Sequence, residues 1–414
     1  MYKWSEEQQM VRTAVREFVD KEIRPHRDEL EFGDLPPYDL LRKMFKAFGM
    51  SDMQRSSFEK RIAAEKAALT GEPTEKKDRT PGDENAIAFN LIPIIELCRV
   101  CPGMVTAMGV SMGLTAASVM SKGTIAQKER WGLDLLTLDK VGAWAITEPG
   151  SGSDAFGSML STARRDGDEY LLNGSKTFIT NGPYADTIVF ICKLDEGNPP
   201  AERTVLQFVL DTGMPGLEQS KPLRKMGVHS SPTGELFLSD VRVGKDRLLG
   251  ESEEAYTGAG GRNASKATFG MERTGVVAMA LGIVERCLEL SVAYANDRVQ
   301  FGQSIGNFQL IQLKRAKMEV ARMNLQNQVF RNIEMSAAGE PGNFAEASAG
   351  KLYAAQAATD VALEAVQLFG GNGYMAEFEV EQLARDAKVL QIYAGTDEIQ
   401  ISAVARSLLA EAKG

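Results

Sequence analysis

The chain has 414 residues, 43% hydrophobic and 25% charged, the ordinary balance of a globular protein long enough for two or three packed domains. A formal charge of −9 and an isoelectric point near 5.2 argue against a surface built for nucleic acid or an anionic membrane. Two histidines, His26 and His229, leave no imidazole triad or His-rich metal site, and four cysteines are too few for a disulfide framework at this length.

Taken in order, the chain opens directly into a polar amphipathic helix from Trp4 to Ile23, with no leader pattern, and no stretch approaches the roughly 20 apolar residues of a membrane span. A cytoplasmic location is the expectation. Ser5 is placed to cap that helix, Glu6 and Glu7 suit its first turn, and Met10, Val11, Ala14, Val15 and Phe18 form its apolar stripe. Pro36-Pro37 ends the pattern, and a second helix runs to about Phe48. A charged helix follows from Arg55 to Leu69, and Thr70–Glu84, rich in Pro, Gly and charge, reads as an exposed loop. Helices resume from Ile87 to Leu136. Cys98-Arg-Val-Cys101 has redox or zinc spacing, but without a second Cys pair it reads as two thiols on an ordinary helix.

Near Val141 the period changes. Val141–Thr147, Glu169–Leu172, Lys176–Thr180, Thr187–Ile191, Thr204–Leu210 and Gly234–Val243 are short and rich in β-branched and aromatic residues. Asp166-Gly167 and Asn173-Gly174 both carry hairpin-turn chemistry. After Gly261 helical periodicity returns, with long helices at about Met271–Arg298, Phe308–Ala337, Asn343–Phe369, Glu377–Leu390 and Asp397–Glu411. The expected fold class is α+β. It comprises an N-terminal helical domain (1–140, with a polar insertion at 55–84), a central antiparallel β-barrel domain (141–255) and a C-terminal antiparallel helical bundle (256–414).

Several stretches carry chemistry. Trp144-Ala-Ile-Thr-Glu-Pro-Gly-Ser-Gly-Ser-Asp154 leaves a strand as a loop rich in Gly and hydroxyls, able to offer donors to a polar heterocycle. Phe178-Ile-Thr180 can set an aromatic face and a hydroxyl beside a ring. Arg298, ending a long helix, can offset the helix dipole or reach a phosphate. Gln367-Leu-Phe-Gly-Gly-Asn-Gly373 places three glycines in four positions, more than one helix end needs. Gly258-Ala-Gly-Gly261 lacks the spacing of a dinucleotide loop. Near the C-terminus, Ile392-Tyr-Ala-Gly-Thr-Asp-Glu398 is a tight turn opening an acidic-first helix.

In this order and spacing the motifs resemble those of the acyl-CoA dehydrogenase family, flavoenzymes that oxidise the α,β bond of acyl-CoA thioesters. The resemblance is carried by Ala145–Asp154, Asn173–Gly182, Met226-Gly-Val-His-Ser-Ser-Pro-Thr233, Arg298-Val-Gln-Phe-Gly302, Gln367–Gly373 and Ile392–Thr396, and covers nearly everything from Gly109 onward. It implies FAD as cofactor. Trp144, Ile146 and Thr147 would line the isoalloxazine ring, with Ser153 at the junction of flavin and thioester and Phe178 and Thr180 against the ring and its N5. Phe178 stands where many relatives carry Trp. By the same resemblance Arg298, Phe301 and Gln309, with Gln367, Gly370 and Gly371, would hold the adenosine diphosphate of an FAD bound to a neighbouring subunit. Thr396 and Glu398 would touch FAD again. A homo-oligomer, usually a homotetramer, and an electron-transferring flavoprotein as acceptor follow from it.

The chemistry needs a carboxylate to remove the α-proton while hydride leaves the β-carbon. Many relatives place that Glu just before Gly395, where this chain has Ala394. Isovaleryl- and long-chain-specific members carry it early in the first long bundle helix, in a pattern like Met271-Glu272-Arg273, which makes Glu272 the candidate base. A glutamate opening a helix is also what the helix dipole favours. Ala394 would supply its backbone N–H to the thioester oxygen, Gly395 would adjoin the substrate, and Arg273 would support the loop or the acyl-CoA. The charged Arg55–Glu84 segment departs from the family's Gly-rich loop. An acyl-CoA oxidase or flavin monooxygenase on the same scaffold is the alternative, and a non-catalytic flavoprotein stands behind it.

Overall fold

The computed structural model describes residues 3–70, 84–256, 260–339 and 344–411, with the side chains of 260–272 and 411 outside the description. Nine helices, some only a turn long, build the first part among the described residues: α1 (Glu6–Phe18), α2 (Arg27–Phe32), α3 (Tyr38–Ala47), α4 (Met50–Thr70), α5 (Glu84–Cys98), α6 (Pro102–Gly109), α7 (Ala117–Lys122), α8 (Ile125–Gln127) and α9 (Leu133–Leu136). Ser5 caps α1 as expected, its hydroxyl accepting the Gln8 N–H at 3.2 Å while the Gln8 side chain accepts the Ser5 N–H at 3.1 Å. The buried face of α1 keeps part of the expected stripe, with Val15 buried and Val11 and Phe18 packed against the core. Met10 is exposed, and Gln8, Arg12, Val15 and Val19 point inward. Arg12 pairs with Glu96 of α5 at 2.6 Å, a buried ion pair that apolar periodicity cannot register. The expected loop at Thr70–Glu84 falls on residues 71–83, outside the described residues, as do Gly258 and Ala259.

The helical run Pro102–Lys122 corrects the expectation that no stretch approaches a membrane span. It is long and apolar enough by length and composition, with 67% of its apolar window buried inside the protein. All four cysteines are buried and free.

The central strands are β1 (Gly142–Ala145), β2 (Thr162–Asp166), β3 (Glu169–Thr180), β4 (Thr187–Leu194), β5 (Val205–Asp211), β6 (Leu217–Gln219) and β7 (Thr233–Gly244). They form one sheet in the order β1-β4-β2-β3-β7-β6, with β5 also paired to β4. The closed antiparallel barrel is therefore corrected to an open, mixed half-barrel, because β1 and β2 both run parallel to β4. The physical reason lies in β4, whose eight residues are all buried. Thr187 and Lys193 are buried along with its apolar residues, so the strand is covered on both faces, where parallel pairing is common.

Asp166-Gly167 does turn the chain, joining β2 to β3 with Gly167 at φ 63°. Asn173-Gly174 does not. β3 runs straight through it with a register shift against β7, and the Asn173 side chain bonds Asp240 twice at 2.9 Å. Gly174 sits at φ 153°, and a Cβ there would lie 2.2 Å from the Ser161 hydroxyl. The pair makes a bulge.

The last part comprises α10 (Gly260–Asp297), the short strands β8 (Val299–Gln300) and β9 (Gln303–Ser304), α11 (Gln309–Ala337), α12 (Phe344–Phe369), α13 (Val380–Val389) and α14 (Asp397–Glu411). α5, α10, α11 and α12 share the largest apolar core. α10 begins by Gly260, so Met271-Glu272-Arg273 does not open the helix. Glu272 lies about three turns inside, beyond the reach of the N-terminal dipole. The Glu272 side chain itself is outside the described residues.

Polar clamps join the three parts. The Asn181 amide donates to the carbonyls of Ala107 at 2.9 Å and Gly142 at 2.8 Å, and its oxygen accepts the Tyr38 hydroxyl at 3.0 Å. Asp386 of α13 accepts the Val228 N–H at 2.5 Å, fastening the loop after β6 to the bundle.

Candidate active site

At the mouth of the sheet, β1 delivers Trp144 and then Ile146-Thr147 beside the bulged end of β3, where the Thr177 N–H donates to the Thr147 carbonyl at 2.9 Å. Trp144 and Ile146 are buried in a core with Trp131, Val119 and Val189, so what they turn toward a ligand is backbone. Thr147 and Thr180 are half-buried. Phe178 stands at φ 57° in the second register shift of β3, with 69% of its surface exposed. A left-handed aromatic costs on the order of 1 kcal/mol, and a large apolar ring left in solvent gains nothing from burial. The arrangement suits a planar ring laid against Phe178.

The loop after Thr147 is anchored at its base. Glu148 accepts the N–H groups of Leu160 at 2.6 Å and Ser161 at 2.9 Å, and the Lys176 ammonium at 2.8 Å. Lys176 also donates to the Ile146 carbonyl at 3.0 Å. Burial pushes the Glu148 carboxyl up, but the Lys176 charge and these donors outweigh it, holding the group below the usual carboxylate range. The loop thus leaves a pinned base and exposes Ser153 at its tip.

A second group of residues lies around Gly395. Ala394 and Gly395 have φ of 53° and 86°. Among the described residues, the N–H groups of Ala394, Gly395 and Thr396 donate to no protein acceptor. Their carbonyl side is fully engaged. Gln400 donates to the carbonyls of Ala394 and Gly395, each at 2.9 Å, and Lys351 of α12 donates to Gly395 at 2.8 Å. Successive free N–H groups in such a turn form an anion- or carbonyl-binding concavity. Arg273 is buried, hydrogen-bonds Ser348 at 3.0 Å and lies over the Phe344 ring at 4.1 Å. Its Nη2 is 3.6 Å from where a Cβ on Gly395 would be, so α10 abuts the turn at this point.

The remaining candidates gather elsewhere. Arg298, Phe301 and Gln309 are exposed at the end of α10 and the start of α11, and Gln367, Gly370 and Gly371 are exposed at the end of α12. Tyr294 ties the two clusters together, stacking on Phe369 at 4.0 Å and accepting the Asn372 amide at 3.0 Å. Gly370 and Gly371 have open space where a Cβ would stand, room for close backbone approach by a ligand. Lys351, beside the Gly395 turn, and Phe369, beside the glycines, are eighteen residues apart on α12. At 1.5 Å per residue that is about 27 Å. The Gly395 turn and the glycine cradle are therefore separate within one chain, with Thr396 half-buried and Glu398 exposed at the turn. Sequence reasoning missed Lys351, Gln400 and the Lys176–Glu148 pair. A lysine in an Ala-rich helix carries no signal of burial.

Comparison with known proteins supplies the frame. The chain matches the acyl-CoA dehydrogenase N-terminal domain over residues 5–55, the middle domain over 143–241 and the C-terminal domain over 259–409. It is 34% identical to an acyl-CoA dehydrogenase of Bacillus subtilis, covering 98% of both chains. It is 32% identical to the mitochondrial isovaleryl-CoA dehydrogenase of Pongo abelii, covering 98% of this chain and 90% of that one. The solved butyryl-CoA dehydrogenase of Megasphaera elsdenii is similar at a TM-score of 0.83 and 31% identity, covering 99% of this chain and 100% of that one.

Proposed function

Since the chain belongs to the acyl-CoA dehydrogenase family, we propose that Glu272 is the base that removes the α-proton of its thioester substrate. The protein is an oxidoreductase that carries out FAD-dependent α,β-dehydrogenation of an acyl-CoA, using a catalytic glutamate. FAD, when bound, would supply the acceptor for the β-hydride.

The observation that supports Glu272 is the contact of its chain neighbour Arg273 with Gly395. Ala394 leaves that turn without a carboxylate, and α10 reaches it through Arg273, as α12 does through Lys351. In this reading the Ala394 N–H donates to the thioester oxygen as enolate charge develops, and a desolvated glutamate takes the proton. Phe178, Thr180, the Trp144–Thr147 backbone and Ser153 receive the flavin ring. Arg298, Phe301, Gln309, Gln367, Gly370 and Gly371 serve the adenosine diphosphate of a cofactor in a neighbouring copy, which makes the enzyme an obligate homo-oligomer, a tetramer by family expectation. The exposed Phe301, Leu310, Leu313 and Tyr374 at that end suit burial against another chain. The acceptor is an electron-transferring flavoprotein and the location cytoplasmic.

Anaerobic mixing of the yellow holoenzyme with straight and branched acyl-CoAs tests the reading. At least one should bleach the flavin. Glu272→Gln should slow that bleaching by about 10³-fold with FAD still bound. Unaltered bleaching in Glu272→Gln removes the assignment of the base.

A further inference from the structure

We propose that Lys351 is a positioning residue for the reaction, its buried ammonium holding the Gly395 carbonyl so that the Ala394 N–H stays aimed at the thioester oxygen. The inference rests on the reading above that this N–H meets the thioester.

Lys351 lies about two turns into α12, and its side chain is fully buried. Taking an ammonium out of water is expensive, and where packing alone is at stake an apolar residue of similar volume does as well or better. A carboxylate partner is near, yet it is not the hydrogen-bond acceptor. Asp397 Oδ1 is 3.6 Å from the ammonium, whereas the Gly395 carbonyl is at 2.8 Å. Asp397 is instead held by the amides of Gln391 at 3.2 Å and Gln356 at 3.3 Å. Of the two contacts made among the described residues, the shorter is to backbone.

That backbone is strained and needs holding. Ala394 has φ 53° without being glycine, and Gly395 follows at 86°. A non-glycine residue in this region persists only where its surroundings over-determine it. The determinants here are Lys351 and Gln400 on the carbonyl side, with the Asp397 N–H bonded to the Gln391 carbonyl at 3.0 Å behind them. In planar trans peptides the held Ala394 and Gly395 carbonyls fix the Gly395 and Thr396 N–H groups opposite them, and the Ala394 N–H is set next to these through that residue's strained φ in the same turn. Preorganised donors of this kind lower the cost of charge forming on an oxygen because they need not reorient. The Asp397 carboxylate 3.6 Å away offsets much of the ammonium's charge, so Lys351 acts on the oxygen chiefly through the backbone it holds. Removing Lys351 should therefore impair acidification of the substrate α-carbon more than binding of acyl-CoA.

The test uses holoenzyme and the 3-thia analogue of whichever acyl-CoA bleaches the native flavin fastest. The β-sulfur blocks hydride loss, so only α-deprotonation occurs, and the enolate stacked on the flavin is seen as a long-wavelength charge-transfer band. Titrating that band against pH gives the apparent acidity of the bound ligand. In Lys351→Met the midpoint should rise by about one pH unit or more, a tenfold loss of acidification. Ligand affinity at low pH, read from quenching of the flavin spectrum, should change less than about threefold over the same comparison. Lys351→Gln, which keeps a donor without the charge, should fall between the two. Amide hydrogen exchange over residues 391–400 should quicken in Lys351→Met. An unmoved midpoint in a flavin-loaded Lys351→Met overturns the proposal. So does failure of both variants to fold and hold FAD, which would assign Lys351 to the fold instead. If the native enzyme is bleached by no acyl-CoA, it is the underlying functional reading that has failed.

Discussion

Replacing Lys176 by methionine isolates the buried pair that pins the flavin-facing loop. Lys176 is inaccessible and the Glu148 side chain is 4% exposed, so the substitution strands a carboxylate away from water. Breaking such a pair from one side commonly costs 3–5 kcal/mol. Glu148 has a cheaper escape, since it can take up a proton. With an ordinary value of 4.5 for a free glutamate, the cost of protonating it at pH 7 is capped at roughly 1.4 kcal/mol for each of 2.5 pH units, about 3.5 kcal/mol. The same arithmetic gives about 1.4 kcal/mol at pH 5.5. The sign follows from linkage. In the native protein Glu148 is held below its unfolded value, so its contribution is present above pH 4.5 and lost as pH falls through the folded pKa. Urea denaturation at pH 5.5 and 7, followed by far-ultraviolet circular dichroism, should show the penalty of Lys176→Met growing with pH. The double variant with Glu148→Gln should recover most of the pH-dependent part. A penalty equal at both pH values, or undiminished in the double variant, would refute an electrostatic clamp and leave only lost packing against the Phe190 ring, which the Lys176 ammonium overlies at 5.2 Å.

Further outcomes follow from other strained or buried groups. Glu31 is inaccessible, its Oε1 lacks a hydrogen-bond partner among the described residues, and burial, then the Asp386 charge, push its carboxyl up to about 8. The folded state keeps this proton where the unfolded chain has released it, so stability declines as pH rises from 4.5 toward 8. Glu31→Gln should flatten that decline by up to roughly 1.4 kcal/mol per pH unit, and thermal melting curves that stay parallel to the native across this range would contradict it. Phe178→Gly should relieve about 1 kcal/mol of backbone strain while weakening FAD retention, so a variant both less stable and fully flavinated speaks against the assigned role. Asn181→Ala removes three side-chain hydrogen bonds, two of them to the N-terminal helices, and should cost about 2–4 kcal/mol in chemical denaturation; a loss under 0.5 kcal/mol would show the clamp to be dispensable.

Much of the fold was legible because its long helices carry their own punctuation. α11, α12 and α14 lie within a residue of where periodicity and turn chemistry set them. The misreadings arose where local chemistry serves a tertiary purpose. Asn173-Gly174 has the residues of a tight turn, but Asp240 across the sheet uses the asparagine to stabilise a bulge. β4 reads as any apolar strand, and nothing in its eight residues declares that two of its neighbours run parallel. The inward face of α1 is half polar because Arg12 has Glu96 to meet, a partner 84 residues away. Of the site, the motifs on turns and bulges were visible as unusual clusters of Gly, hydroxyl and aromatic residues. Lys351 was not, since a charged residue in a helix is ordinarily solvated and only its neighbours in space make it otherwise.

The 27 Å of α12 between Lys351 and Phe369 has a genetic consequence. If one chain's turn and another chain's glycine cradle complete a single centre, lesions at the two ends belong to different complementation groups. A chain disabled at Glu272 and a chain disabled at Arg298 would each be dead alone, yet mixed assemblies would contain some centres spared by both defects. Carriers of two such alleles would retain activity that neither allele confers by itself, whereas two lesions at the same end would never rescue one another.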